Sequence, residues 1–85
     1  MKDELDVKNK LIKIFNERLN FDFSDKRELF DENLFSSKVD LVAYELVYIF
    51  FDVEKTFNIK ISEEDINNNR FMTFNSIKEL ILDYI

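Results

Sequence analysis

The sequence contains no cysteine, histidine, glycine, proline or tryptophan. Without cysteine it can form neither a disulfide nor a thiolate metal site. Without histidine it also lacks a common metal ligand and the usual general base. The serines could be activated only by lysine or carboxylate groups. We therefore expect no metal site and no enzymatic activity.

The absence of glycine and proline narrows the choice of fold and function further. Phosphate-binding loops, dinucleotide fingerprints and nucleophile elbows all need glycine, and tight hairpin turns favour it. A possible calcium loop begins at Asp65, but Arg70 stands where the turn glycine is required. We interpret the Asn67–Asn69 run as a helix terminator, because asparagine tolerates the left-handed conformation.

Long apolar runs and a positive balance of charge are missing too. No stretch approaches the roughly 20 apolar residues of a membrane span, and the charged residues 1–10 do not resemble a signal peptide. The formal charge of −6 disfavours nucleic acid and favours basic protein partners. These features predict a cytoplasmic protein that binds neither nucleic acid nor membrane.

Apolar spacing predicts one all-α domain of four helices over residues 1–85. The first runs from Asp3 to Leu19, and a long irregular stretch, Asn20–Lys38, is held to the core by its phenylalanines. The second runs from about Val39 to Thr56. An extended segment, Asn58–Ile61, precedes a short helix with Ser62 as its N-cap. The last helix starts near residues 73–75.

The second predicted helix is apolar on two sides. One broad face holds Val39, Val42, Ala43, Leu46, Ile49, Phe50, Val53 and Phe57, and Leu41, Tyr44, Tyr48 and Phe51 gather on the other. Such a helix is either packed on both sides or keeps one for a partner. Two possibilities stay open: the Tyr44/Tyr48/Phe51 side is exposed, or the long loop covers it.

The carboxyl-terminal two thirds of the chain resemble an acyl carrier protein. The resemblance lies in residues 54–65 (EKTFNIKISEED) and in residues 73–77 (TFNSI) through the closing 83–85 (DYI). Residues 48–55 (YIFFDVEK) and 71–75 (FMTFN) also resemble carrier-related proteins of clostridial peptide maturation systems. The resemblance implies a four-helix bundle with a long loop after the first helix, and it makes the second helix the docking element.

The family attaches a phosphopantetheine arm to a serine at the start of its second helix, and this sequence offers none there. Depending on the register, the serine position falls on Ala43, Asp40 or Lys38. Ser36 and Ser37 lie upstream and would serve only through an unusual register. Because the phosphodiester needs a hydroxyl, we expect no 4'-phosphopantetheine cofactor.

The resemblance implies a non-catalytic adaptor in a peptide maturation or natural-product pathway, with peptide-modifying enzymes among its partners. Its partner-binding residues would be Asp40, Tyr44, Glu45, Tyr48, Phe51 and Asp52 on the second helix. One alternative is a genuine acyl or peptidyl carrier modified at Ser36 or Ser37. Another is a self-associating helical module, so the chain is expected to be a monomer or a weak homodimer.

Overall fold

The computed structural model describes residues 3–85, which fold into four α-helices without a β-strand. The helices are α1 (Glu4–Leu19), α2 (Ala43–Phe57), α3 (Glu63–Asn67) and α4 (Phe74–Tyr84). Two short 3₁₀ turns, Phe23–Asp25 and Arg27–Leu29, lie in the long connection between α1 and α2. The predicted all-α class and order of helices are confirmed. No helix within residues 3–85 has both the length and the apolar content that crossing a bilayer requires.

Polar side chains fix where the helices begin and end. The Ser62 hydroxyl accepts the Asp65 N–H at 3.2 Å, which confirms Ser62 as the N-cap of α3. Thr73 caps α4 in the same way through the Ser76 N–H, at 3.0 Å. After α3, Asn69 adopts a left-handed conformation with φ of 61°, as expected for an asparagine that terminates a helix.

The start of α2 differs from the sequence prediction, because the helix begins at Ala43 and not at Val39. The Val39 and Asp40 N–H groups both donate to the Ser36 carbonyl, and Asp40 is left-handed with φ of 61°. The Leu41 N–H then bonds to the Leu34 carbonyl at 2.9 Å. Residues 36–41 therefore form a separate turn, and the left-handed backbone at Asp40 prevents α2 from extending upstream through it.

This turn changes which face several side chains occupy. Val39 and Leu41 are buried in the core although they lie outside α2, so placing Leu41 beside Tyr44 was wrong. Val42 and Ala43, predicted on the inward face, are exposed. The inward side of α2 consists of Ile49 and Val53, which are fully buried, with Leu46, Phe50 and Phe57 partly buried beside them.

Four phenylalanines form the centre of the core: Phe15 from α1, Phe23 and Phe30 from the long connection, and Phe74 from α4. The Phe15 and Phe23 rings meet edge to face at 5.0 Å, and Phe30 stacks on Phe74 at 4.3 Å. The connection is therefore held to the core by its aromatic residues, as predicted.

Backbone hydrogen bonds also hold the long connection against the approach to α4. The Leu34 N–H donates to the Met72 carbonyl, and the Asn75 N–H donates to the Phe30 carbonyl, each at 2.9 Å. The Asn75 amide reaches the Asp31 carboxylate at 2.7 Å. Residues 30–34 consequently lie against the start of α4 and the residue pair before it.

Polar contacts tie α3 to the end of α4. The Tyr84 hydroxyl donates to Asp65 Oδ2 at 2.6 Å and accepts the Ser62 N–H at 2.9 Å. Arg70 bridges Asp65 and Asp83. The hydrogen bond from Tyr84, followed by those from Ser62 and Arg70, holds the pKa of Asp65 below its ordinary value. Asp65 therefore holds α3 against the end of α4, although none of the residues of α3 is buried.

Candidate docking surface

The outward side of α2 is an exposed apolar strip. Tyr44 is 67% exposed, Phe51 58%, Val47 51% and Tyr48 49%. We call these four residues the α2 strip. Its exposure confirms the first of the two possibilities left open by the sequence, since the long connection does not cover this side. Solvent-facing apolar residues in such a group are typical of an interaction site.

An apolar groove adjoins the α2 strip and has a volume of about 400 Å³. One wall comes from α2, and the other comes from the connection before α2 and from residues in and after α3. We call this the α2–α3 groove; it is lined by Phe35, Ala43, Leu46, Val47, Phe50, Phe51, Ile66, Phe71 and Met72. Val47 and Phe51 belong both to the groove and to the α2 strip, so the two form one surface.

Contacts between aromatic rings hold the inner wall of this groove in place. The Phe50 ring contacts Phe71 edge to face, with ring centroids 5.6 Å apart, and lies at the same distance from Phe51. Phe71 is buried, whereas Phe51 is exposed. The groove thus has a fixed inner wall and an outer wall that is free to contact a ligand.

The predicted partner-binding residues omit three large apolar side chains that are exposed on this surface: Val47, Phe35 and Ile66. Helical spacing could have found Val47, since it lies three residues after Tyr44 and four before Phe51 on the same side of a helix. Phe35 and Ile66 come from other parts of the chain. Only the tertiary fold brings them to α2, so no local pattern could have identified them.

Asp52, a predicted partner-binding residue, already forms an ion pair with Arg18 of α1. Two charge-assisted hydrogen bonds, Nε–Oδ2 and Nη2–Oδ1, each measure 2.8 Å. The carboxylate raises the pKa of Arg18 above its ordinary value. The same guanidinium lies 5.1 Å from the centroid of the Tyr48 ring. Asp52 therefore positions the edge of the α2 strip, and its charge is largely balanced within the protein.

Glu45 and Asp40, the other two predicted acidic residues, have different surroundings. Glu45 accepts the Val42 N–H at 3.0 Å and so caps the start of α2, where the apolar Val42 side chain cannot accept a hydrogen bond. Asp40 is exposed, and its side chain makes no hydrogen bond or ion pair within residues 3–85. Of the three acidic residues, Asp40 is therefore the one whose carboxylate is most available to a partner.

The candidate attachment positions lie around the turn before α2. Ala43 is the first residue of α2 and lines the groove, while Asp40 and Lys38 are exposed on the turn. The Ser36 hydroxyl is buried and makes no hydrogen bond within residues 3–85. Ser37 is exposed. A modifying enzyme would therefore find a reachable hydroxyl at Ser37 and none at Ser36.

Comparisons with protein-family models, with curated proteins and with solved structures find no match to this chain.

Two segments that contribute to the docking surface contain acidic residues and no basic ones. From Val39 to Glu54 there are four acidic residues and no lysine or arginine, and from Glu63 to Asn69 there are three acidic residues and no basic one. The first segment supplies one wall of the groove, and the second supplies Ile66 of the other. The groove can bury apolar side chains of a ligand, and the exposed carboxylates of Asp40, Glu63 and Glu64 on these segments can attract positive charge.

Proposed function

We propose that this chain is a non-catalytic, acyl-carrier-like adaptor that binds other proteins through α2 and carries no phosphopantetheine arm. The observation that carries the proposal is the α2 strip, where large apolar side chains are left in solvent on a helix whose opposite side forms the core. A monomeric domain gains nothing in stability from that exposure, whereas a binding partner would bury it.

The carrier-like part of the proposal rests on the sequence resemblance and on the order of the helices. A long helix, a long connection, a second long helix, a short helix and a closing helix follow one another as the resemblance implies. A peptide maturation or natural-product pathway is the setting that the same resemblance suggests, with enzymes that modify peptides as the partners.

The absence of an arm rests on the residues around the start of α2. Ala43 has no side-chain oxygen, and the carboxylate of Asp40 cannot form the phosphodiester that attaches such an arm. Incubation with coenzyme A and a broadly specific phosphopantetheinyl transferase tests this directly by mass spectrometry. We expect an unchanged mass, and a gain of one arm would contradict the proposal.

The exposure of Ser37 supports a second candidate, a genuine carrier modified on that residue. The transferase experiment should therefore include Ser37→Ala and Ser36→Ala. An arm that is added to the unaltered chain and to Ser36→Ala, but not to Ser37→Ala, would establish the carrier function instead.

Partner binding is tested with Tyr48, which lies on the α2 strip. A photo-reactive residue at position 48 would cross-link a partner in an extract of the source cells, and that partner would then be purified and recombined with this chain. We expect Tyr48→Ala to keep its helical circular dichroism and to bind the purified partner more weakly. Loss of the fold instead would place Tyr48 in the core and contradict the proposal.

A further inference from the structure

We propose that the α2–α3 groove and the α2 strip together bind one basic amphipathic helix of a partner protein, an inference that rests on the proposed adaptor function. The surface is divided between an apolar depression and an apolar ridge that share Val47 and Phe51. A helix with one apolar side fits such a shape, because it can place one row of side chains in the depression and rest beside the ridge.

The length of the α2 strip agrees with two turns of a partner helix. Tyr44 and Phe51 are seven residues apart on α2, which corresponds to about 10 Å along the helix axis. Apolar residues at i, i+4 and i+7 of a partner span the same distance. The contact thus needs only a short helix, whose central apolar side chain enters the groove between Val47 and Ile66.

The exposed carboxylates on the segments that contribute to the surface indicate that the partner helix is basic. No lysine or arginine occurs in either acidic segment, Val39–Glu54 or Glu63–Asn69. Asp40, Glu63 and Glu64 are all exposed. Lysine or arginine beside the apolar side of a bound helix would meet these carboxylates, which favours encounter with cationic segments over neutral or acidic ones.

The same charges disfavour a second copy of this chain as the occupant. Each copy has a formal charge of −6 and would bring its own acidic segments to the interface. Arg18, the basic side chain beside Tyr48, is already paired with Asp52, so pairing two copies face to face would bring the exposed carboxylates of Asp40, Glu63 and Glu64 together.

Three fluorescent peptides of about 16 residues test the proposal, a length that gives roughly four helical turns. The first has leucine and phenylalanine at i, i+4 and i+7 with lysine on both flanks. The second replaces every lysine with glutamate, and the third scrambles the first. Fluorescence anisotropy measures the affinity of each peptide for the protein.

Two protein variants form a matched pair for the same measurement. Val47→Gln places a polar amide on the shared wall of the groove, and Leu5→Gln makes the same kind of change at an exposed apolar residue of α1. We expect the lysine peptide to bind more tightly than the other two. Val47→Gln should weaken that binding at least about tenfold, as for a central contact residue, while Leu5→Gln leaves it unchanged.

Several outcomes would overturn the proposal: equal binding of the glutamate or scrambled peptide, no binding of any peptide, or no effect of Val47→Gln. Phe51→Gln serves as a second variant if Val47→Gln unfolds. These failures are separate from failure of the adaptor function. A purified partner that binds through Tyr48 but tolerates Val47→Gln would refute the helix-binding groove alone, whereas an attached arm would refute the adaptor proposal.

Discussion

Arg18 of α1 donates two hydrogen bonds of 2.8 Å to the Asp52 carboxylate of α2, and its guanidinium also lies against the Tyr48 ring. The two residues are 34 positions apart in the sequence. One basic side chain therefore both joins two helices and holds an edge of the docking surface. An acidic residue that looked available for a partner instead has a structural role.

We expect Asp52→Asn to loosen Tyr48 and to lower the melting temperature. The substitution removes the carboxylate that orients Arg18, so the contact between the guanidinium and the ring is lost. Glu17→Gln is the matched control, because the Lys13–Glu17 pair lies in solvent on one helix and contributes little. Thermal unfolding and the NMR line widths of the Tyr48 ring would show the difference. Equal behaviour of the two variants would be evidence against this role of Asp52.

The aromatic centre of the core predicts a large loss of stability in Phe74→Ala. Phe74 is fully buried and contacts Phe15, Phe23 and Phe30. The cavity left by its ring should cost about 3–5 kcal/mol of unfolding free energy. Phe51→Ala, which removes the same ring from an exposed position, should change the free energy by only about 0.5 kcal/mol. Urea unfolding measures both, and similar losses would show that Phe51 is part of the core.

The left-handed conformation of Asp40 predicts which residues its position accepts. Asp40→Asn should be nearly neutral, because asparagine adopts this conformation readily. Asp40→Ala should lose about 1 kcal/mol, since alanine enters the left-handed region less readily than aspartate or asparagine. Urea unfolding compares the variants. If alanine were tolerated as well as asparagine, α2 would begin earlier than Ala43 and the turn would not be held as described.

The Tyr84–Asp65 hydrogen bond predicts stability that is lost in acid. The folded state holds the pKa of Asp65 below its ordinary value of 3.8, so the ionised carboxylate stabilises the fold above that pH. This contribution declines as the pH falls through the lowered pKa. Tyr84→Phe should therefore lower the melting temperature at neutral pH, and the difference should narrow toward about pH 2.

Tyr44→Phe is the control for that experiment, since Tyr44 is exposed and its hydroxyl makes no hydrogen bond within residues 3–85. Thermal unfolding followed by circular dichroism supplies the measurement. A Tyr84→Phe difference that stayed constant from neutral to acid pH would show that Asp65 does not contribute through its ionisation.

Local patterns predicted much of this fold because each helix has its own spacing and caps. The position of Ser62 before three acidic residues predicts an N-cap, and the positions of Tyr44, Tyr48 and Phe51 predict a second apolar side of the helix, whose exposure the spacing alone leaves open. The start of α2 could not be predicted in the same way. Val39 and Leu41 continue an apolar helical pattern, and only the backbone bonds to Ser36 and Leu34 show that a turn replaces it.

The candidate site was predicted only where it depends on a single helix. The tyrosines and Phe51 belong to α2, whereas the groove also needs Phe35 and Ile66, which approach through tertiary packing. Asp52, in contrast, was predicted to bind a partner although Arg18 neutralises its charge. Its neighbours in the sequence do not reveal that ion pair. Contacts between distant segments thus decide both the shape of the docking surface and its free charges.

The most direct test of the docking surface is a residue-by-residue NMR titration of the protein with the lysine-flanked amphipathic peptide. We expect chemical-shift changes at Tyr44, Val47, Phe51 and Ile66, with little change at Leu5 and across the exposed side of α1. Changes confined to α1, or none at all at saturating peptide, would contradict the assignment of α2 as the binding element.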